Sequence, residues 1–332
     1  MRNSSGDRQG PRPIQPGHDM RAVAELIEVA FADRLDETGR RMIRSMRLLG
    51  GAGWLGWLVA RLALPPAAYP EGFVWQDRNR LVGNASLLRV DGYPRRWVLA
   101  NVAVFPGWRR QGIARTLVED CIRLARQRGG KEVVLQVDTD NRGARALYDQ
   151  LGFETVATRS SWAMARWPHP ALGADPHFMP RTDDEYAAHW RLVQASLPEG
   201  LVWPFPLRSE IFQVEPRSRL LGIRRQRHWA WHNDDGRPVG FLTAALANDS
   251  RYWRFFLAVE PEYRGQIEGL LVEHALPHLE DLALPISMEY PPGPADVSLR
   301  SLGFDFDRTL TWMSLDLMNG PDRQELTGDE QP

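Results

Sequence analysis

Cys121 is the only cysteine in 332 residues, which excludes an internal disulfide and a multi-cysteine zinc site and fits a reducing compartment, the cytoplasm. Charge of one sign is also missing: 41 Lys and Arg stand against 42 Asp and Glu, a formal charge of -1. Such a balance exerts no overall pull toward nucleic acid or acidic membranes, and neither is expected as a partner. No long apolar run is present either. Leu48 to Ala60, LLGGAGWLGWLVA, is too short to span a bilayer and is followed by Arg61 and Pro65-Pro66, so it reads as a buried helix or a cleft lining. The polar start, MRNSSGDRQG, lacks the apolar core of a secretory signal, and residues 1–11 are expected to be a disordered leader. Metal-binding spacing is absent too. His228/His232 and His274/His278 lack a His-Glu-x-x-His arrangement, the first pair falls in an expected strand, and Pro277 interrupts the second, so no metal is expected. Arg217, Arg219, Arg224, Arg225 and Arg227 precede Trp229 and Trp231; they read as a solvated strand edge over buried tryptophans.

The length suits two ordinary domains. Pro168, Pro170, Gly173 and Pro176 punctuate a stretch without helix or strand periodicity, so residues 167–176 are expected to be a linker. Before it, periodicity predicts helices over Met20–Ala32 and Glu37–Leu49, then strands over Gly72–Gln76, Leu81–Val90 and Arg96–Phe105. Next come a helix over Ile113–Arg126, a strand over Glu132–Val137, a helix over Arg142–Leu151 and a strand through Ser160–Met164. Ile113, Leu117, Val118, Cys121, Ile122, Leu124 and Ala125 form one apolar helix stripe, which makes Cys121 a core residue. Val98, Ala100, Val102 and Val104 face one side of their strand and Leu99, Asn101, Ala103 and Phe105 the other, as in a central strand.

The second half repeats these landmarks. VEPEYR at Val259–Arg264 answers VFPGWR at Val104–Arg109, and LGFD at Leu302–Asp305 answers LGFE at Leu151–Glu154. The offsets are 259 − 104 = 155 and 302 − 151 = 151, so two copies of one fold are expected.

The run NVAVFPGWRRQGIA at residues 101–114 joins a central strand to a helix start. Unsatisfied amides at such a start, aided by the helix dipole, hold an anion without a dedicated cationic side chain. Arg110, Gln111, Gly112, Ile113, Ala114 and Arg115 supply those amides; Gly112 has no side chain to hold a phosphate away, and Ala114 is nearly as small.

With Asn141–Tyr148 (NRGARALY) and Leu151–Glu154 downstream, the first half resembles the GNAT superfamily of N-acyltransferases over about Arg12 to Arg166. The resemblance implies an α/β (α+β) fold, a twisted mixed sheet flanked by helices and splayed between its fourth and fifth strands to admit acetyl-CoA. The family signature Arg/Gln-x-x-Gly-x-Gly/Ala falls on Arg109, Gly112 and Ala114. By that resemblance the amides of Arg110 to Arg115 hold the pyrophosphate and the backbone of Val102 and Val104 pairs with pantetheine. Asn141 and Ala144 lie near the pantetheine arm, and Tyr148 lies by the thioester sulfur as the catalytic acid. For Asn141 the alternative is a helix N-cap, and for Tyr148 an aromatic packing its helix on the sheet.

The implied function is acetyl-CoA-dependent acetylation of a primary amine on a small molecule or peptide, by direct attack and without a metal. The alternative is a non-catalytic acyl-CoA-binding or interaction module. Some family members carry Glu where this chain has Gln136, whose amide takes no proton at neutral pH; Asp138 shares its strand face but reads as a solvated carboxylate. The base is left open. In the second copy Ile267 replaces Gly112, Glu268 replaces Ile113, Pro292 replaces Asn141 and Leu299 replaces Tyr148, so CoA is not expected to bind there. The resulting organisation is a GNAT domain at 12–166, a linker at 167–176, a degenerate GNAT-like domain at 177–318 and a flexible tail at 319–332. Arg40, Arg41, Arg44 and Arg47 form one helix face, while Trp54, Trp57, Tyr69, Trp203 and Phe205 line an acceptor cleft or fill the core.

Overall fold

The computed structural model describes residues 9–32, 40, 43–48, 71–90, 92–165, 173–196, 207, 209–213, 223–247, 251–279 and 284–318. Residues 1–8 of the leader, 167–172 of the linker, the tail 319–332, most of the apolar run, and Arg41, Trp54, Trp57, Tyr69, Trp203, Phe205, Arg217 and Arg219 lie outside them. The chain divides into two compact units: Met1–Gln136 with Gly143–Glu154 and Met313–Pro332, and Val137–Arg142 with Thr155–Trp312.

Unit 1 is built on β1 (Gln9–Pro13), α1 (Pro16–Ala30), β2 (Glu71–Asp77), β3 (Arg80–Val90), β4 (Tyr93–Val104), α2 (Ile113–Gln127), β5 (Glu132–Asp138) and α3 (Arg142–Gln150). Its sheet runs β1-β2-β3-β4-β5, antiparallel except for the parallel pair β4/β5. The expected α2 stripe is the buried face: Ile113, Leu117, Val118, Cys121, Ile122 and Ala125 are all enclosed. The helix lies close because Gly83 of β3 has no side chain; a Cβ there would stand 2.8 Å from Ile113 Cγ2.

Three local expectations shift. Gln9 to Pro11, assigned to the leader, belong to β1 and pair with β2; a five-residue edge strand with two prolines has too little alternation to be read. Helix α1 starts four residues before the expected Met20, with a proline in its first turn, the place where a missing N–H costs nothing. Its early turn hides Asp19, a carboxylate that periodicity does not count as core. Asp19 is 2% exposed and takes two bonds from Arg12, at 2.6 and 2.8 Å, plus the Gln15 amide at 2.7 Å. Thirdly, the strict alternation expected along β4 breaks at Asn101, described below.

Unit 2 holds β6 (Glu154–Met164) from Thr155 onward, β7 (Phe178–Pro180), α4 (Tyr186–Ser196), β8 (Ile223–His232), β9 (Pro238–Ala247), β10 (Trp253–Val259), α5 (Glu268–Ala275), β11 (Ile286–Tyr290), α6 (Ala295–Ser301) and most of β12 (Asp305–Asp316). Its order is β6-β11-β10-β9-β8-β7, with β10/β11 the parallel pair. The repeat is thus visible element by element, down to Gly240 of β9, where a Cβ would stand 2.7 Å from Ile267 Cδ1.

The last strand of each sheet comes from the other half of the sequence. In unit 2, β6 lies antiparallel beside β11, with Trp162 opposite Met288. In unit 1, Met313–Asp316 of β12 take the corresponding place: Ser314 Oγ donates to Glu132 at 2.6 Å and the Leu317 amide to the Lys131 carbonyl at 2.8 Å.

Burial alone would raise the pKa of Asp19, but the bonds from Arg12, the Gln15 amide and His18 outweigh it and hold the carboxyl below its ordinary 3.8. Asp19→Asn leaves Arg12 without its counter-charge and is expected to cost about 2–3 kcal/mol at pH 7, read from denaturant midpoints. Since the folded pKa is depressed, that contribution is present above the unfolded value and fades as pH falls. The wild-type and D19N stabilities should therefore converge below pH 3.8.

Candidate functional site

In unit 1, β4 ends at Val104 and one tight turn, Pro106–Trp108, leads to α2. The turn is braced from several sides. The Phe105 amide donates to Val82 O at 3.0 Å, Trp108 Nε1 donates to Asp77 at 3.1 Å, and the Arg80 guanidinium covers the rings of Phe105 and Trp108 at 4.6 and 5.2 Å. Arg109 Nε donates to the Val104 carbonyl at 3.0 Å, so this side chain ties the turn back to the strand end.

Past Arg109 the backbone takes left-handed conformations at Arg110 (φ 66) and Gly112 (φ 80). Residues of this kind, interleaved with ordinary ones, turn successive N–H groups into one concavity. The first amide to find a helical partner is that of Thr116, which donates to Gly112 O at 3.1 Å. The amides before it therefore face outward at the positive end of the helix dipole. Gln111 and Gly112 are exposed, Ala114 and Arg115 half-buried, and Ile113 anchors the turn in the core.

A bulge reshapes β4 just upstream. Asn84 of β3 pairs with Ala103 but Ser86 pairs with Ala100, so Asn101 and Val102 together oppose the single residue Ala85. Asn101 takes φ 53, and Asn84 Nδ2 holds its carbonyl at 2.8 Å. Parallel pairing of β4 with β5 runs from Arg96↔Glu132 to Leu99↔Leu135 and stops there. Beyond it no ladder joins the two strands, so Val102 and the Val104 amide lie past the end of the β4/β5 pairing.

Tyr148 on α3 is 6% exposed and packs edge-on to Phe153 at 5.7 Å between centroids. Burial raises its pKa, so the hydroxyl keeps its proton at neutral pH and can donate it. A bond from Arg115 to Gln150 brings the end of α3 to the start of α2. Val102, Val104, Arg109 to Arg115, half-buried Ala144 and Tyr148 thus belong to one unit. Asn141 is exposed, and its segment, Val137–Arg142, groups with unit 2. Asp138 accepts the Asp140 amide at 3.0 Å, a turn contact.

Unit 2 repeats the junction nearly bond for bond. The Tyr263 amide donates to Glu260 O at 3.0 Å, the Glu260 amide to Val239 O at 2.9 Å, and Arg264 Nε to Val259 O at 3.4 Å. Two residues differ in effect. Ile267 stands where Gly112 does and takes φ -112, an ordinary conformation that turns its amide elsewhere. Glu268, 1% exposed, folds its carboxylate back into the turn, where it accepts the Gly265 amide at 2.7 Å and the Tyr290 hydroxyl at 2.9 Å. A fixed carboxylate thereby occupies the anion position of this copy. Leu299, opposite Tyr148 in the repeat, is fully buried core.

Asn84 and Ser86 escaped sequence reasoning. Both are buried on one face of β3 beside the bulge, 0% and 1% exposed, and Asn84 Oδ1 lacks a partner. Two polar residues at apolar parity in a central strand were the available signal. Among the described residues no group of three or more His, Cys, Asp or Glu is placed to hold a metal. His232 instead pairs with Glu185 at 2.5 Å, and His274 and His278 stack on Phe178.

The Acetyltransferase (GNAT) family matches residues 53–153. N-alpha-acetyltransferase RimI of Mycobacterium tuberculosis is 33% identical over 172 residues, 49% of this chain and 96% of that protein. A mycothiol acetyltransferase of Saccharomonospora viridis is 31% identical over 173 residues, 49% of this chain and 55% of that protein. The chain spans 26–59% of the length of the first curated relatives it matches. Among solved structures, a tandem GNAT protein from the clavulanic acid biosynthesis pathway aligns with a TM-score of 0.51 and 19% identity, covering 95% of this chain and 99% of that one, a likeness of fold.

A Cβ on Gly112 would meet nothing within 4 Å, so it is the left-handed conformation, not crowding, that disfavours a side chain there. Gly112→Ala is expected to cost about 1–2 kcal/mol through the left-handed φ, measured by urea unfolding.

Proposed function

The chain belongs to the acetyltransferase (GNAT) family, and we propose that unit 1 transfers an acetyl group from acetyl-CoA to a primary amine by direct attack. One observation carries this reading: an outward amide concavity, a strand end past the β4/β5 ladder and a buried protonated tyrosine all lie in one compact unit. The residues present fit acetyl-CoA. Amides from Arg110 to Arg115 suit its pyrophosphate, with Gly112 giving close approach, and the Val102 backbone and the Val104 amide, past the end of the β4/β5 ladder, suit the amides of its pantetheine arm. A strand N–H, that of Val104 or a neighbour, supports the oxygen charge that develops as the amine adds. Tyr148 donates its proton to the departing thiolate. Gln136 takes no proton, and the reading assigns amine deprotonation to water.

The relatives named for N-alpha-acetylation and for mycothiol acetylation bracket the acceptor: a peptide N-terminus or a small amino compound. Unit 2 does not bind acetyl-CoA in this reading, because Glu268 already fills its cradle. Cys121, buried and with its thiol pKa raised to about 12 by burial, is no competing nucleophile. A cytoplasmic setting suits a protein with a single free thiol.

Tyr148→Phe is expected to lower turnover about 10²-fold or more, in assays of free-CoA release with amine and peptide acceptors, while acetyl-CoA affinity stays unchanged. Unaltered turnover removes Tyr148 from the chemistry. Gly112→Glu should abolish acetyl-CoA binding by calorimetry, because it places a like charge in the concavity. Binding that persists in this variant would move the cofactor site elsewhere. Acetyl-CoA binding without acceptor-dependent CoA release from any amine would favour a non-catalytic module.

A further inference from the structure

Unit 2 encloses a polar cluster that acetyl transfer does not use. Arg181, which follows β7, is 5% exposed; its guanidinium lies over the Tyr186 ring at 5.7 Å, and among the described residues its Nε, Nη1 and Nη2 have no hydrogen-bond partner. His189 on α4 is 0% exposed and both of its ring nitrogens are unpartnered. His228 on β8 is 9% exposed; Nδ1 meets Thr243 Oγ1 at 2.8 Å, the Gln213 backbone lies beside the ring, and among the described residues Nε2 has no well-formed hydrogen bond. The imidazole rings stand 6.3 Å apart. Burial first lowers the pKa of both; His228 and then Arg181 push His189 down further, and Arg181 pushes His228 to about 3, so both are neutral. Phe241 stacks on His189 at 4.6 Å and Phe212 meets its edge at 5.2 Å.

The repeat supplies an internal control. The Arg181 amide donates to His228 O at 3.0 Å, as the Ile14 amide donates to Gly72 O at 3.0 Å in unit 1. His228 pairs across the sheet with Thr243, as Gly72 pairs with Ser86. Where unit 2 has Arg181 and His228, unit 1 therefore has Ile14 and Gly72, and the same fold closes without charge. A buried guanidinium with no acceptor is costly, and native interiors seldom leave one so.

We propose that Arg181, His189 and His228 form a buried binding site for a small monocarboxylate. The charges of Asp183 and Glu185 reach Arg181, but neither carboxylate bonds to its fork, so it is the open donors of one guanidinium and two neutral imidazoles that call for an acceptor. The planar Arg fork matches two carboxylate oxygens, and His Nε2 groups supply further donors. Burial of all three side chains restricts the ligand to a few heavy atoms. The neighbouring Glu185 does not fill this role: its carboxylate holds the Thr182 amide at 2.8 Å and His232 at 2.5 Å.

The full chain, labelled with 15N-histidine, would be titrated with sodium formate and sodium acetate at pH 7.5, against sodium chloride and inorganic phosphate at matched ionic strength. Formate or acetate should shift the buried imidazole signals saturably and raise Tm, with chloride and phosphate producing neither. Arg181→Met, which fills the same space without needing an acceptor, should fold and weaken the response about tenfold or more. Should R181M not fold, Arg181→Lys keeps the charge, loses the fork and should weaken carboxylate binding. The proposal is overturned by the absence of a saturable carboxylate response in the wild type, by an equal response in the folded variant, or by phosphate acting as well as acetate.

Discussion

A helix that begins directly behind a strand exposes amide hydrogens that its own backbone cannot accept, and something else must meet them. This constraint recurs in both units and is answered in opposite ways. In unit 1 the left-handed turn at Arg110 and Gly112 aims the amides outward. In unit 2 Glu268 folds back over its own helix start and accepts the turn amide of Gly265. The surrounding frame is the same, with the same short turn, the same arginine bond to the strand-end carbonyl and the same glycine under the helix. The two cradles therefore differ through the residues at 112/267 and 113/268, and not through architecture.

The glycines under the helices matter to this more than their size suggests. With no side chain at Gly83 or Gly240, Ile113 and Ile267 seat directly on the strand, so the helix start has little room to move relative to the strand end. Trp108 bonded to Asp77 fixes the turn from the hairpin side. The amides, the strand backbone past the ladder and Tyr148 gain their mutual placement from packing that touches no ligand.

Much of this was legible because it is local. The apolar stripe of α2, the glycine at its start and the repeated strand-turn-helix landmarks all lie within windows of about one element. The bulge at Asn101 was not legible. Both faces of β4 are apolar there, so a one-residue slip leaves no trace in the hydrophobic pattern. The start of α1 was misplaced because Asp19 is core only through its pairing with Arg12, a contact outside any periodicity. Arg181, His189 and His228 are likewise scattered over a strand end, a helix and the middle of another strand, and only the folded register collects them.

The source of each closing strand was also hidden, since equal spacing in two halves says that they match and not which half completes which sheet. Its consequence concerns biosynthesis. The unit that carries the amide concavity includes both β1 to β5 and Met313–Asp316, with β6 to β11 between them in sequence. Domains ordinarily fold as they leave the ribosome. Here the sheet of β1 to β5 must keep an edge open until Met313–Asp316 have been made. Chain termination before that segment would leave this sheet unfinished, although every residue of the concavity had already been synthesised.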